Sequence, residues 1–315
     1  MKPDAYLLLI SILFISFLSV IPATAEDTYS VIPDIPIAEL TPLSIETAPS
    51  GAPGSPFFTG YTLTNTGNRP SGSFIIQMYL SPDVNVTTDD LLIWEKKEGF
   101  FSAGDTKYNT YIRDLPGEIT PGTWYPALFI DVSELVPEKD EANNVITGEP
   151  VQITKEFNRP QAFYNTKIGD LIYRYTNRER NFYRLTPLTY DDDLALVAQD
   201  HSDDMSTRNF FNHINPDNEN PSDRAKRHGY ESSRVTETGD TVHGIAENII
   251  KVPVGETSNY GYVDQDDIIA VAELMLDSWM HSSDHKENIL NPHLRKIGIG
   301  VSFDGTRYYA TQNMI

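Results

Sequence analysis

The spacing of the apolar residues changes near Pro160, and this change constrains the fold most strongly. From about residue 41 to residue 153, short apolar runs alternate with clusters of Gly, Pro, Asn and Asp, which is typical of a β-sandwich. Beyond Pro160, the apolar residues follow a helical period instead. A length of 315 residues is enough for two domains. We therefore predict an N-terminal all-β sandwich and a C-terminal α+β domain.

Two stretches of the first half have the pattern of a strand. In residues 72–81, one face carries four apolar side chains: Phe74, Ile76, Met78 and Leu80. Residues 124–130 have a similar pattern, but Pro126 interrupts them and has no N–H for a β-ladder. We therefore expect Pro126 to lie on an edge strand or at a bulge.

The second half contains two amphipathic helices and a hairpin. The first helix begins at Asp191 and has one buried stripe: Leu194, Val197, Ala198, His201 and Met205. The second has Asp264 as its N-cap, with Asp267 in its first turn, and its stripe contains Ile268, Val271, Ala272, Met275 and Trp279. Residues 297–312 alternate around the turn Asp304-Gly305, which predicts a β-hairpin, and Gly298 and Gly300 allow close packing on one of its faces.

The charge and the absence of cysteine exclude several classes of protein. The chain has 45 acidic and 24 basic residues, a net charge of −21, so it repels nucleic acid and anionic lipid headgroups. Without cysteine it has no disulfide, no thiolate metal site and no thiol nucleophile. Any metal must be held by His, Asp or Glu.

The N-terminal residues resemble an export signal. Lys2 precedes an apolar run, and Ala23-Thr24-Ala25 is a small-x-small cleavage pattern. We expect residues 1–25 to be a cleaved signal peptide, with an uncleaved membrane anchor as the alternative. The rest of the chain is then secreted, or is held at the cell surface.

Residues 35–155 resemble the CARDB module, an Ig-like domain of exported bacterial and archaeal proteins. The similarity lies in three segments: YTLTNTGNRPSGSFIIQMYLS, SAGDTKYNTYIRDLPGEITPGTWYPALFID and VPEKDEANNV. It implies a spacer or adhesion module that contacts the cell surface or envelope.

One acidic turn in this region has two possible roles. Asp83, Asn85, Thr87, Asp89 and Asp90 alternate oxygen ligands, but the turn lacks the Gly and the closing Glu of a calcium loop. We therefore favour an ordinary hairpin turn. Asn85 is also the acceptor of an N-glycosylation sequon.

Residues 165–315 resemble the CAP superfamily, which includes cysteine-rich secretory and plant pathogenesis-related proteins, in its cysteine-free prokaryotic branch. The similarity lies in HSDDMSTRNFFNHINPDNENPSDRAKRHGY, AENI, LDSWMHSSDHKENILNPHLRKIGIGVSF and YYATQN. It implies an α-β-α sandwich with a cleft that carries two histidines and two acids. By motif these are His213, Asp223, Glu247 and His285.

The four cleft residues also have structural interpretations. Asp223 lies at a predicted helix start, so it is expected to cap the helix as well as line the cleft. Glu247 precedes a buried stretch, where an acid needs a partner. Since two imidazoles can bind a divalent cation such as Zn²⁺, His213 and His285 are the candidate metal ligands, and their site is completed by water or a ligand.

Two other histidines are assigned structural positions. His201 lies on the apolar stripe of its helix, where we expect a core histidine with a satisfied ring nitrogen. His281 is four residues from His285, the spacing of a metal pair on a helix, but the intervening Ser282-Ser283-Asp284 favours a helix end.

Two functions of the cleft remain open from the sequence, and a third possibility is that only the CARDB-like half interacts with partners, as an adhesion or surface module. The first is an exported protein whose cleft binds a divalent metal and an extracellular small molecule, lipid or peptide. The second is a secreted metal-dependent hydrolase of peptides or cell-wall material, with Glu247 as general base. The sequence has no HExxH, GxSxG or phosphate-loop motif that requires an enzyme.

Overall fold

The computed structural model describes residues 36–235 and 241–315, and residues Ile37–Ile315 form one compact unit. The predicted signal peptide lies outside the described residues. No helix within them is long and apolar enough to cross a membrane. The strands and helices in chain order are β1 (Leu40–Thr47), β2 (Ser50–Gly51), β3 (Pro56–Asn65), β4 (Phe74–Ser81), β5 (Leu91–Glu98), β6 (Thr106–Asp114), β7 (Gly122–Ile130), β8 (Val145–Thr147), β9 (Val151–Ile153), α1 (Gln161–Phe182), β10 (Thr189–Tyr190), α2 (Asp192–Arg208), α3 (Pro221–Arg227), β11 (Ser233–Val235), β12 (Thr241–His243), β13 (Ala246–Pro253), β14 (Gly255–Thr257), β15 (Gly261–Val263), α4 (Ile268–Met280), α5 (Ser283–Ile289), β16 (Lys296–Phe303) and β17 (Arg307–Met314).

The N-terminal domain is a β-sandwich of two sheets. One sheet has the strand order β1-β3-β6, and the other has the order β2-β9-β7-β4-β5, with β8 paired to β7. The predicted strand over residues 72–81 is confirmed as β4, and its four apolar side chains are fully buried: Phe74, Ile76, Met78 and Leu80. Tyr61 of one sheet stacks on Trp94 of the other, with ring centroids 5.9 Å apart. The apolar faces of both sheets therefore meet in one core.

Pro126 lies in a central strand, so its predicted edge position is wrong. Strand β7 lies between β9 and β4, and Pro126 pairs with Leu80 without a bulge between these two strands. On its other side β7 pairs with β9 through residues 122–124 and with β8 through residues 127–129. Pro126 lies in the gap between these two pairings, where neither strand pairs with it.

The C-terminal domain is the predicted α-β-α sandwich. Its sheet has the order β10-β16-β17-β13, with β10 parallel to β16 and the other pairs antiparallel. The hairpin of β16 and β17 is confirmed, and Gly305 in its turn has φ 93°. Helix α2 packs on the face that contains Gly298 and Gly300, while α1 packs over the side chains of Ile299 and Val301 on the other face.

The two predicted helices form, but the N-cap of α4 differs from the prediction. Helix α2 begins at the predicted place, and Asp191 caps it by accepting a hydrogen bond from the backbone N–H of Leu194 at 2.9 Å. The N-cap of α4 is Asp267, whose side chain accepts from the N–H of Ala270 at 3.0 Å. Asp264 instead accepts from the N–H of Asp266 in the preceding loop, and this local turn delays the helix by three residues. The predicted stripe of α4 is buried throughout.

Candidate functional site

Glu247 is a buried carboxylate near the start of the edge strand β13. Its side chain is only 2% exposed, and Oε2 accepts a hydrogen bond from Nη2 of Arg224. Its other oxygen, Oε1, lies 2.9 Å from Nδ1 of His213. The expectation that a buried acid at this position needs a partner is therefore confirmed, and it has two.

His213 lies in the loop between α2 and α3, with 47% of its side chain exposed. An ionised carboxylate only accepts hydrogen bonds, so the bond to Glu247 places the ring proton on Nδ1. In the neutral form of the ring, the second nitrogen, Nε2, then carries the lone pair. Glu247 thus orients the ring through Nδ1, while Nε2 is available as a ligand.

His285 lies on α5, in the neighbourhood of His213. Burial lowers the pKa of His285 below its usual value, and the neighbouring His213 lowers it further. Nδ2 of Asn248, the residue after Glu247, donates to the backbone carbonyl of His285 at 3.1 Å. This bond ties α5 to the strand that carries Glu247. Three of the four predicted cleft residues, His213, Glu247 and His285, are thus brought together.

Asp223 has the helix-capping role predicted for it. Its carboxylate accepts from the N–H of Asn220 at 3.1 Å, and the side chain of Asn220 accepts in return from the N–H of Asp223. This capping box starts α3, the helix that carries Arg224. Asp223 is exposed, and its second predicted role, as a lining residue of the cleft, stays a prediction.

The structural interpretations of the two other histidines are confirmed. His201 is fully buried, and its Nε2 lies 3.0 Å from the carbonyl oxygen of Asn212. Burial lowers the pKa of His201 below its usual value. His281 is the C-cap of α4, and His285 lies on the next helix, so the two do not form a metal pair along one helix.

Arg224 is the residue of this site that sequence reasoning missed. It is fully buried and follows Asp223 directly in the segment SDRAK. The signal was present in the requirement that a buried Glu247 have a partner. Sequence alone did not show which of the basic residues was brought to Glu247, which is 23 positions away.

Comparison with known families identifies both halves of the chain. The model of the cysteine-rich secretory protein family, CAP, matches residues 173–314, and the CARDB model matches residues 37–148. Residues 173–314 are a CAP domain, and residues 37–148 are a CARDB domain. The cleft of His213, Glu247 and His285 lies in the CAP domain.

Two curated relatives share part of this chain. The uncharacterized protein YkwD of Bacillus subtilis is 28% identical over 170 residues, which are 54% of this chain and 51% of that protein. The uncharacterized membrane protein YlbC of Bacillus subtilis is 29% identical over 144 residues, which are 46% of this chain and 33% of that protein. The chain therefore covers about half of the first relative's length and a third of the second's.

Two solved structures match this chain at low sequence identity and low TM-score. An extracellular protein containing an SCP domain from Bacillus anthracis is 18% identical, with a TM-score of 0.41, over 95% of this chain and 99% of that one. The CARDB domain of the PF1109 protein from Pyrococcus furiosus, solved in complex with di-metal ions, is 18% identical with a TM-score of 0.30. That match covers 38% of this chain and 90% of the solved domain.

Two histidines of the CAP domain, His213 and His285, are the side chains that would hold a cation. Among residues 36–235 and 241–315, no group of three or more His, Asp or Glu side chains is placed to hold a metal ion. Glu247 is engaged by Arg224 and His213 and lies behind the ring of His213, in the position of a carboxylate that orients a metal-ligating histidine. The residues thus fit an open site in which His213 and His285 would hold a cation and exogenous ligands would complete its coordination.

The carboxylates of the acidic turn in the CARDB domain accept hydrogen bonds from the backbone of the turn itself. Oδ1 of Asp83 accepts from the N–H of Asn85 at 2.8 Å, and Oδ2 of Asp90 accepts from the N–H of Thr87 at 2.7 Å. These carboxylates stabilise the local backbone. Asn85 is exposed, so its sequon is accessible.

Proposed function

We propose that this chain is an extracellular CAP-domain protein whose cleft binds a divalent cation, Zn²⁺ or another, through His213 and His285. The observation that carries the proposal is the hydrogen bond between His213 Nδ1 and Glu247 Oε1. It orients the ring and leaves Nε2 as a ligand beside a second imidazole whose pKa is lowered, which favours the neutral form that binds metals.

An open two-histidine site also fits a binding partner. Water or donor atoms of an extracellular small molecule, peptide or lipid would occupy the remaining coordination positions. The side chains of Phe211 and Ile214 flank His213 in sequence and are 42% and 50% exposed. They give a ligand apolar surface to contact next to the imidazole.

The contacts of Glu247 favour binding over hydrolysis. A general base must reach the proton that it removes, directly or through one water. Both oxygens of Glu247 already accept hydrogen bonds, and its side chain is almost fully buried. The hydrolase in which Glu247 is the base is therefore the less favoured function.

The CARDB domain is proposed to present the CAP domain at or beyond the cell surface. The predicted signal peptide supports export. One curated relative is described as a membrane protein, and one similar solved structure as an extracellular protein. The acidic surface argues against nucleic acid as a partner.

The test of metal binding is calorimetry with Zn²⁺ and elemental analysis of the mature protein. We expect one bound equivalent in the wild type, a clear loss of affinity in His213→Ala and in His285→Ala, and no binding in the double variant. His281→Ala is the matched control because this exposed histidine caps α4 and contacts the carbonyl of Asp277. Unchanged binding in the double variant, or no binding by the wild type, would refute the proposed site.

A further inference from the structure

Arg224 joins three separate parts of the cleft with one guanidinium group. Nη1 donates to the backbone carbonyls of His213 at 2.9 Å and of Glu219 at 3.0 Å. Nη2 donates to Oε2 of Glu247. The same side chain thus joins two carbonyls of the loop between α2 and α3 to the carboxylate on β13, and it is fully buried.

Because Arg224 is buried, the loss of any of these contacts is costly. A buried carboxylate without a partner is strongly disfavoured, and Arg224 supplies the cation that Glu247 needs beside His213 and His201. His201 Nε2 lies 3.9 Å from Glu247 Oε1 and is already bonded to the carbonyl of Asn212. Within the described residues, Arg224 is the only Lys or Arg that forms an ion pair with Glu247.

We infer that Arg224 is a positioning residue of the cleft. It holds Glu247 in place as the acceptor for the Nδ1–H of His213 and holds the His213 backbone in place. The His213 ring therefore keeps one tautomer and one orientation, with the Nε2 lone pair in the cleft. This inference rests on the proposed function for its consequence, which is that loss of Arg224 weakens the two-histidine site without removing a ligand.

The first readout needs no metal. Nitrogen chemical shifts of the His213 ring, recorded above the pH at which histidine titrates, distinguish a proton on Nδ1 from one on Nε2. We expect the wild type to show the Nδ1–H tautomer. Arg224→Gln is expected to give a mixture of tautomers, and Arg224→Lys, which keeps the charge but not the forked geometry, an intermediate result.

The control is Arg227→Gln on the same helix. It removes the same charge, but Arg227 is exposed and pairs with Asp200 and Glu219. We expect its His213 spectrum to match the wild type. A loss of Zn²⁺ affinity of roughly 10 to 100-fold in Arg224→Gln, and none in Arg227→Gln, is the second expected result.

The outcomes separate this inference from the proposed function. If the wild type binds no Zn²⁺, the proposed function fails, while the ring spectra still decide the role of Arg224. If Arg224→Gln does not fold, Arg224→Lys carries the comparison. A single Nδ1–H tautomer in every folded Arg224 variant, or a mixture already present in the wild type, overturns the inference.

Discussion

Each domain removes one carboxylate from solvent, fully or in part, but the two carboxylates accept hydrogen bonds from different kinds of donor. Glu247 in the CAP domain has a guanidinium partner, whereas Glu138 in the CARDB domain has only uncharged donors. Glu138 accepts from the N–H of Leu40 and, at 2.8 Å, from Nδ2 of Asn144. Burial raises the pKa of Glu138 to about 7, and the neighbouring Glu141 and Glu39 add to the rise. At the residue scale, the CARDB domain thus contains a carboxylate that favours its protonated form.

Glu138 is expected to make stability fall as pH rises. Its pKa in the folded chain is above the value of about 4.3 for an unfolded glutamate. The stabilisation that comes from this raised pKa is therefore complete below the pKa of the unfolded chain, and it is lost as pH rises through about 7. Calorimetric melting at about pH 5 and about pH 8 should show that Glu138→Gln removes part of the pH dependence. Glu118→Gln, at an exposed position, should leave it unchanged, and equal profiles for all three proteins would contradict the prediction.

Strand β16 packs between α2 and α1, and the backbone of α2 approaches it closely at Gly298. A Cβ added at Gly298 would lie 2.2 Å from the backbone nitrogen of Ala195 in α2, so the helix could not keep its position. A Cβ added at Gly169 of α1 would lie 3.7 Å from Ile299, an ordinary contact. The glycine of the strand is therefore required by packing, and the glycine of the helix is not.

Alanine at these two glycines should change stability in opposite directions. Gly298→Ala is expected to destabilise by about 1 to 3 kcal/mol or more because backbone must move. Gly169→Ala is expected to stabilise by up to about 1 kcal/mol because alanine is the better helix former. Urea unfolding measures both. Destabilisation of similar size in both variants would show that α1 is packed as closely as α2.

Helix α1 shows why one long element was absent from the sequence prediction. Its buried side includes Thr176 and Arg180, polar residues that break an apolar stripe. Thr176 is bonded to Gln312, and Arg180 donates to the carbonyls of Ile289 and Asn291 at 2.7 and 2.9 Å. These partners are more than 100 positions away, so no local pattern shows that the two residues can be buried.

At the scale of the whole molecule, the first half of α1 joins the two domains. Phe163 packs edge-on against Phe58 of β3 with centroids 5.7 Å apart, and the Tyr164 hydroxyl donates to the carbonyl of Pro56. Nζ of Lys167 lies 2.8 Å from a carboxylate oxygen of Glu46. Helix α1, whose second half belongs to the CAP domain, therefore packs with its first half against the CARDB domain.

Removal of Tyr164 should uncouple the domains. Tyr164 is 1% exposed, so Tyr164→Ala leaves a cavity and costs roughly 2 to 5 kcal/mol. We expect a single thermal transition in the wild type and two in the variant. Phe182→Ala on the same helix is the control because Phe182 is 78% exposed. Two transitions already present in the wild type would show that the interface does not couple folding.

Local sequence determined the elements whose signals are local. The apolar stripes of α2 and α4 and the turn of the β16–β17 hairpin follow from spacings of a few residues, and the family resemblance named His213, Asp223, Glu247 and His285. The change of apolar spacing near Pro160 predicted the two-domain architecture, and the resemblance named the two families whose models match.

Tertiary structure decided what depends on pairs distant in sequence. It placed Pro126 in a central strand because the two partners of β7 leave a gap at that residue. It made Arg224 the partner of Glu247, and it positioned His213 and His285 beside each other from different elements. A sequence pattern reports the burial of one face of one element, whereas a buried charge is satisfied only by the group that folding brings to it.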